Sequence, residues 1–248
     1  MNQIRMQTWG AGQKTLVLFH GWGFDSHIWL AFIPLLQRIN PATQIIAVDL
    51  PGFGGTPCLG WRVFKEELLQ RLPAKSTVLG WSLGGLFATR LTIEAPDRVK
   101  QLINIATSPY FIRDAVWPGV VRQQLDAFFD QFQKNPEQTR TQFVASQMGM
   151  LKSKTLSLSS SECADIKGDN GLLQGLEVLQ QWDLRQDLYS INVPTSYIFG
   201  RLDTIVPHRV RSIMQNQYPT FDYHLLDHAA HIPFLSHPEE LLTVLPLA

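Results

Sequence analysis

Three side chains in this sequence have the types that nucleophilic acyl transfer requires: a serine, a histidine and an aspartate. Ser82 lies in Gly80-Trp81-Ser82-Leu83-Gly84, directly after the apolar run 77–79. A serine hydroxyl is a weak nucleophile, so it must be exposed to substrate and deprotonated by a neighbouring base. The glycines leave room for a sharp strand-to-helix turn that would present the hydroxyl rigidly. We predict Ser82 as the nucleophile. The alternative is a glycine-rich turn of the same sequence in which the serine has no catalytic role.

The base and its orienting acid are predicted from their positions after two late apolar runs. Asp203 follows the run 196–199, and His231 follows the run 222–226. Their order along the chain, serine then aspartate then histidine, is the one found where a serine nucleophile sits on such a turn. His228 competes for the role of base, but His231 lies in the loop directly before a predicted terminal helix. We predict that His231 moves the proton and that Asp203 fixes its tautomer.

The segment His20-Gly21-Trp22-Gly23-Phe24 follows the first strong apolar run, 16–19. A tetrahedral acyl intermediate has a negatively charged oxygen, which two converging N–H groups stabilise. We predict these oxyanion donors to be the N–H groups of Trp22 and Leu83, with the Trp22 ring beside the acyl pocket. His20 is expected to bond backbone groups rather than to transfer protons. The alternative is a plain turn between a strand and a helix.

The elements that must position these residues are short apolar runs alternating with helical patterns. Runs of this kind are typical of strands buried on both faces, as in a parallel sheet. Residues 83–94 have a helical pattern that ends before Pro96, and alternation of this kind predicts helices covering the sheet. The predicted strands are 16–19, 45–48, 77–79, 102–105, 196–199 and 222–226.

The interval between Thr107 and Val193 contains no convincing strand. It contains two sets of apolar residues at helical spacing, at 121–132 and at 172–179. A loop of this length without structure of its own would be improbable. We therefore predict an α/β fold with a mostly parallel central sheet, whose core is 1–106 and 194–248 and whose inserted helical cap is 107–193.

Composition restricts the class of protein. The chain has 248 residues, of which 45% are hydrophobic, and its 21 basic residues balance 21 acidic ones. This favours a globular protein without a global field for nucleic acid or anionic membranes. Cys58 and Cys163 form no metal-binding pattern, so we expect no metal. No signal peptide or membrane-spanning run is evident, and we expect a cytoplasmic monomer.

Together these motifs resemble the pimeloyl-[acyl-carrier protein] methyl ester esterases of biotin synthesis, within the α/β-hydrolase superfamily. The resemblance spans nearly the whole chain. It implies hydrolysis of the methyl ester of pimeloyl-[acyl-carrier protein], which releases methanol without a metal or cofactor. The matching segments are 18–23, 48–54, 79–85, 117–119, 183–185 and 230–234.

The resemblance also implies roles for residues of the cap. Residues Phe143, Val144, Ala145, Ser146 and Gln147 would line the acyl channel beside Trp22, Ser82, Leu83 and His231, although Phe143 would equally suit the core of the cap. Basic residues would meet an acidic carrier protein, although a solvated helix face would have the same composition; they are Lys134, Arg140, Lys152 and Lys154. Gln138 and Gln142 stand where basic residues are expected, and Ala229 and Ala230 replace an expected glycine.

Other functions are consistent with the same residues. A broad-specificity carboxylesterase acting on small esters would use the same three residues without a carrier. A peptidase or a carbon–carbon hydrolase is possible on the same fold. A receptor that binds its ligand without turnover is the alternative from another class.

Overall fold

The computed structural model describes residues 3–147 and 170–247, and the described residues form one seven-stranded sheet. Its strand order is β1-β3-β2-β4-β5-β6-β7. The first strand pairs with β3 antiparallel, and all other pairs are parallel. Parallel strands end at a common edge, so the loops that follow β2, β4, β6 and β7 are brought together there. The strands are β1 (Met6–Trp9), β2 (Lys14–Phe19), β3 (Thr43–Val48), β4 (Ser76–Trp81), β5 (Val99–Ile105), β6 (Thr195–Gly200) and β7 (Asp222–Leu226).

The six predicted strands are confirmed as β2 to β7, with starts up to three residues earlier and with the ends of β4 and β6 two and one residues later. The prediction missed β1, whose residues are only partly buried because this strand lies at the edge of the sheet. An antiparallel edge strand does not show the continuous apolar run of a strand covered on both faces. The predicted fold class, a mostly parallel sheet flanked by helices, is confirmed.

Helices cover the sheet, and three of them, α4 to α6, lie in the described parts of the interval between β5 and β6. The predicted helix after Ser82 is confirmed as α3, and the two apolar helical faces belong to α4 and α6. The division into core and cap at 107 and 193 stays a prediction. The helices are α1 (Ile33–Ile39), α2 (Trp61–Arg71), α3 (Leu83–Glu94), α4 (Arg122–Lys134), α5 (Pro136–Gln147), α6 (Asn170–Gln181), α7 (Arg209–Gln217), α8 (Pro233–Ser236) and α9 (Pro238–Val244).

Two apolar clusters fill the space on either side of the sheet. One includes Leu18, Leu79 and Ile103, together with residues of α1 and α9. The other includes Val17, Val78 and Leu102, and it continues into α4 and α6. Adjacent residues of one strand therefore belong to opposite clusters, as a strand covered on both faces requires. None of the helices in the described part of the chain is long and apolar enough to cross a membrane.

Candidate active site

Ser82 occupies the turn between β4 and α3 in a strained conformation. Its φ is 54° and its ψ is −120°, a backbone conformation that residues other than glycine rarely adopt. Its N–H donates to the carbonyl of Ile105 at 3.0 Å, and its carbonyl accepts from the Thr107 hydroxyl at 2.7 Å. A Cβ at Gly80 would overlap the backbone of Gly84, so glycine is required for this close approach. The turn is thus held by the last residue of β5 and by Thr107 in the segment that follows β5.

The loops after β6 and β7 bring Asp203 and His231 to the same point. The Nε2 atom of His231 lies 2.9 Å from the Ser82 Oγ, and its Nδ1 lies 2.8 Å from the Asp203 Oδ2. The side chain of His231 is 4% exposed and that of Asp203 is fully buried. The structure therefore brings the three predicted residues into one hydrogen-bonded chain.

The second carboxylate oxygen of Asp203 has partners of its own. Its Oδ1 accepts from the N–H groups of Ile205 and Val206 at 2.8 and 2.9 Å. These bonds satisfy a buried carboxylate and fix its plane. The Oδ2 is left to accept from the Nδ1–H of His231, which leaves the Nε2 lone pair facing the Ser82 hydroxyl. This is the tautomer in which an imidazole accepts a proton from serine.

Of the predicted oxyanion donors, Leu83 follows Ser82 directly in the chain, and Trp22 lines the same cavity as Ser82. Leu83 is the first residue of α3, so its N–H has no acceptor within the helix. Among the described residues, the N–H of Trp22 has no hydrogen-bond acceptor either. A Cβ at Gly21 would lie 2.9 Å from the Trp81 ring, so glycine is needed for the loop to approach this closely. Two free N–H groups near a serine can stabilise an oxyanion, and this role remains our prediction.

His20 bonds the backbone on both sides of its ring. Its Nδ1 lies 2.8 Å from the Gly21 carbonyl, and its Nε2 accepts from the Leu50 N–H at 3.0 Å. Complete burial lowers the pKa of His20 to about 4, against the opposing effects of the Gly21 hydrogen bond and the Asp25 charge. The ring is therefore neutral near pH 7 and joins the loop after β2 to the end of β3.

An apolar cavity of about 240 Å³, which we call the inner cavity, opens beside Ser82. One of its walls is the Trp22 ring, whose Nε1 donates to the Leu172 carbonyl at 2.8 Å. The same ring makes edge-on contacts with Phe128 and Phe143, with centroid distances of 5.4 and 5.0 Å. Helices α4, α5 and α6 thus all contribute to a space suited to an acyl chain.

The other residues predicted from the resemblance have varied positions. Phe143 lines the inner cavity and packs against the core. Ser146 is exposed and lies outside the lining, with its hydroxyl donating to the Phe143 carbonyl at 2.7 Å. Of the basic residues, Lys134 is exposed at the end of α4. The side chains of Val144, Ala145, Gln147 and Arg140 lie outside the described structure, as do Lys152 and Lys154 entirely.

Several lining residues were not predicted from the sequence. Gln124 and Thr204 are the polar ones besides Ser82, and Phe111 and Val120 come from the segment before α4. Thr204 follows Asp203 directly, so its proximity to the site could have been found from the acid motif. Gln124 gave no such signal, because the orientation of α4 against the sheet decides which of its faces meets the cavity. Within the described ranges, no cluster of three metal-ligating side chains occurs.

Comparison of the sequence with known families and proteins gives a consistent set of relatives. A family model described as the alpha/beta hydrolase fold matches residues 14–238. The pimeloyl-[acyl-carrier protein] methyl ester esterase of Legionella pneumophila (strain Corby) is 46% identical over 242 residues, which covers 98% of this chain and 97% of the relative. The protein of the same name from Proteus mirabilis (strain HI4320) is 36% identical over 248 residues, covering 97% and 94%.

Comparison with solved structures gives the same fold. The esterase EaEST from Exiguobacterium antarcticum matches with a TM-score of 0.82 at 20% identity, covering 98% of this chain and 93% of that one. The hydrolase olei00960 from Oleispira antarctica also matches with a TM-score of 0.82 at 20% identity, covering 98% and 94%. At these identities the likeness shows the fold alone.

Proposed function

The chain belongs to the family of pimeloyl-[acyl-carrier protein] methyl ester esterases within the α/β hydrolases, and we propose that it removes the methyl group from pimeloyl-[acyl-carrier protein] methyl ester. The products are pimeloyl-[acyl-carrier protein] and methanol, and the reaction belongs to biotin biosynthesis. The observation that carries this proposal is the hydrogen-bonded chain from Ser82 through His231 to Asp203 at the wall of an apolar cavity.

Acylation begins when the Ser82 Oγ attacks the methyl ester carbonyl carbon and His231 takes the hydroxyl proton on Nε2. The carbonyl oxygen becomes an oxyanion that faces the N–H groups of Trp22 and Leu83. When the carbonyl re-forms, the bond to methoxide breaks, and His231 returns the proton to it as methanol leaves. The acyl group is then an ester of Ser82.

Deacylation repeats these steps with water. His231 removes a proton from a water molecule, whose oxygen adds to the acyl carbon. Collapse of the second tetrahedral intermediate breaks the bond to Ser82, which regains its proton from His231. The Asp203 carboxylate stabilises the imidazolium in both halves without itself becoming protonated.

The inner cavity supports an acyl chain rather than a polar substrate. Its walls include Trp22, Phe128 and Leu176, so methylene groups bound there would leave water. Burial of each methylene contributes roughly 0.8 kcal/mol. A chain of several methylenes would therefore bind with its ester end at Ser82.

The direct test is mass spectrometry of pimeloyl-[acyl-carrier protein] methyl ester after incubation with the enzyme. We expect the carrier species to lose one methylene unit in mass and to keep its pimeloyl group, and we expect no change with the Ser82→Ala variant. Turnover of p-nitrophenyl butyrate alone, with the carrier ester intact, would instead indicate a broad-specificity esterase. Absence of any turnover would indicate a receptor.

A further inference from the structure

One face of α4 leads from the core of the molecule to solvent, and it borders the inner cavity. Its residues Phe132, Phe128 and Gln124 are spaced four apart, so they lie on neighbouring turns of the same face. Phe132 is fully buried, Phe128 is partly buried and Gln124 is exposed. Phe128 and Gln124 both line the inner cavity. The cavity therefore reaches solvent beside Gln124, in the first turn of α4.

The buried end of this face packs against the ring that borders the reacting serine. The Trp22 ring lies edge-on to Phe132 and Phe128, with centroid distances of 5.6 and 5.4 Å. Trp22 and Ser82 are both buried and line the same cavity. Residues four apart on a helix are separated by about 6 Å along its axis, so Gln124 lies one turn beyond Phe128 towards solvent. A substrate whose ester reaches Ser82 would thus have the rest of its chain near Gln124, where the cavity opens.

Gln124 is one of three polar residues in an otherwise apolar lining; the others are Ser82 and Thr204. Ser82 is the proposed nucleophile, and Thr204 directly follows Asp203, so a change at either would also affect the reacting groups. Gln124 lies on a different element. Its backbone N–H donates to the Val121 carbonyl at 2.9 Å, and its side-chain amide has no hydrogen-bond partner among the described residues. This amide is therefore available to a substrate.

The pimeloyl chain of the proposed substrate has a carbonyl at each end. One belongs to the methyl ester that reacts, and the other belongs to the thioester that joins the chain to its carrier. With the methyl ester at Ser82, the methylenes would lie against the apolar walls and the second carbonyl would lie towards the opening. A carbonyl oxygen accepts hydrogen bonds, and the side chain of glutamine has two N–H groups that donate them.

We propose that Gln124 is a specificity-determining residue, whose side-chain amide donates a hydrogen bond to the second carbonyl of the acyl chain. The inference rests on the proposed function, because that function supplies a chain with two carbonyls. A simple fatty ester ends in a methyl group and leaves the Gln124 amide without this bond. The enzyme therefore favours esters of dicarboxylic chains over fatty esters of the same length at this residue.

Two free esters of equal chain length measure this recognition. Dimethyl pimelate has the second carbonyl, and methyl nonanoate has the same number of chain atoms without it. We expect Gln124→Leu to lower the ratio of kcat/KM for dimethyl pimelate to that for methyl nonanoate by about fivefold, the effect of one neutral hydrogen bond. Gln124→Glu should lower the ratio at least as far, because a carboxylate keeps the shape of glutamine but only accepts hydrogen bonds. The ratio is independent of any loss of folded enzyme.

The matched control is Gln123→Leu, which makes the same change at the preceding position of α4. Gln123 is exposed and lies outside the cavity lining, so we expect this variant to keep the wild-type ratio. An unchanged ratio in Gln124→Leu, or an equal fall in the control, would overturn the role of Gln124. A wild-type ratio in Gln124→Glu would also overturn it, because the ratio would then depend on shape and not on a donated hydrogen bond.

These assays contain no carrier protein, so their outcome is separate from the test of the proposed function. If the wild type leaves the carrier ester intact, the proposed function is wrong. A lowered ratio in Gln124→Leu would even then support the contact between Gln124 and the second carbonyl of a diester.

Discussion

At the scale of single residues, we propose Ser82 as the side chain on which the chemistry depends. Its hydroxyl lies 2.9 Å from His231 in a backbone conformation that the turn imposes. We expect Ser82→Ala to lower kcat for p-nitrophenyl butyrate by a factor on the order of 10⁶, as loss of a serine nucleophile does in another hydrolase. Ser146→Ala is the matched control, because Ser146 is exposed and lies outside the cavity lining. Near-normal turnover by Ser82→Ala would exclude Ser82 as the nucleophile.

A second prediction at the scale of single residues concerns Asp203, which we propose orients His231. Its carboxylate accepts from His231 and from two backbone N–H groups. In Asp203→Asn, an amide N–H facing Nδ1 would stabilise the tautomer whose Nε2 cannot accept the serine proton. We expect kcat to fall by about 10⁴-fold with little change in KM.

Steady-state kinetics of Asp203→Asn should be compared with those of Asp227→Asn. Asp227 is an exposed aspartate that pairs with Arg201, and its replacement should leave kcat near the wild-type value. An equal effect of the two substitutions would show that Asp203 does not orient the base.

At the scale of elements, two titratable groups hold the ends of β2 and β3 together. His20 bonds Leu50, and Asp49 accepts from the Ser26 N–H at 2.7 Å. Burial raises the pKa of Asp49 from 3.8 to about 6; the Asp25 charge also raises it, while hydrogen bonds from Ser26 oppose the rise. Burial lowers the pKa of His20 to about 4. The two shifts have opposite effects on stability over nearly the same pH range.

The sign of each effect follows from proton binding. Folded Asp49 binds protons more tightly than the unfolded chain, so acidification from about pH 6 towards pH 4 increases the free energy of unfolding. Folded His20 binds protons less tightly, so acidification below pH 6.5 decreases it. In the wild type these contributions partly cancel.

Removing the Asp49 carboxyl should therefore make the protein more sensitive to acid. Between pH 6.5 and pH 4.5, we expect the free energy of unfolding of Asp49→Asn to fall by about 2 kcal/mol more than that of the wild type. Urea unfolding at both pH values measures this difference, with the exposed Asp227→Asn as control. Parallel pH profiles for Asp49→Asn and the wild type would contradict the prediction.

Arg185 links two segments that lead to and from the sheet, one directly after β5 and the other directly before β6. Its guanidinium pairs with Asp183 at 2.6 Å and with Asp114 at 2.7 Å, and it lies 4.3 Å from the centroid of the Tyr110 ring. These contacts join the chain just after β5 to the chain just before β6. A planar guanidinium can make all of them at once, whereas an ammonium group cannot.

We expect Arg185→Ala to lower the free energy of unfolding by about 2 kcal/mol, the range for loss of charged hydrogen bonds. Arg185→Lys should restore less than half of that loss, because lysine keeps the charge without the fork. Urea unfolding tests both variants, with Arg122→Ala as the control, because Arg122 is an exposed residue at the start of α4. Full recovery by lysine would show that charge alone stabilises these segments.

The elements also show which parts of the fold could be predicted from the sequence. Strands β2 to β7 were predictable because each contains a short, largely apolar run, and most of these runs are followed closely by glycine or aspartate. The positions of Ser82, Asp203 and His231 followed, since parallel strands end at one edge. Strand β1 was missed because its burial depends on pairing with β3, which no local pattern records.

At the scale of the whole molecule, the inner cavity lies between the sheet and helices α4 to α6. Its lining combines residues more than 180 positions apart, from Trp22 to Ile205. The sequence predicts which helix faces are apolar, but not whether a given side chain fills the core or borders a space. Phe128 and Phe129 are neighbours on α4, yet only Phe128 lines the cavity. That distinction arises from the packing of the helices against the sheet.

This packing leads to a prediction about the length of the acyl chain that the inner cavity accepts. Phe143 lines the inner cavity beside Trp22, with ring centroids 5.0 Å apart, so Phe143→Ala should lengthen the space available to an acyl chain. Each additional methylene buried there is worth about 0.8 kcal/mol, or about fourfold in kcat/KM. We expect the ratio of kcat/KM for p-nitrophenyl octanoate to that for the butyrate to rise by at least this factor. Phe129→Ala is the control, because it removes an aromatic ring that lies outside the cavity lining. It should lower stability without changing the ratio of kcat/KM values. An equal change of this ratio in both variants would mean that the cavity does not set the preferred length of the acyl chain.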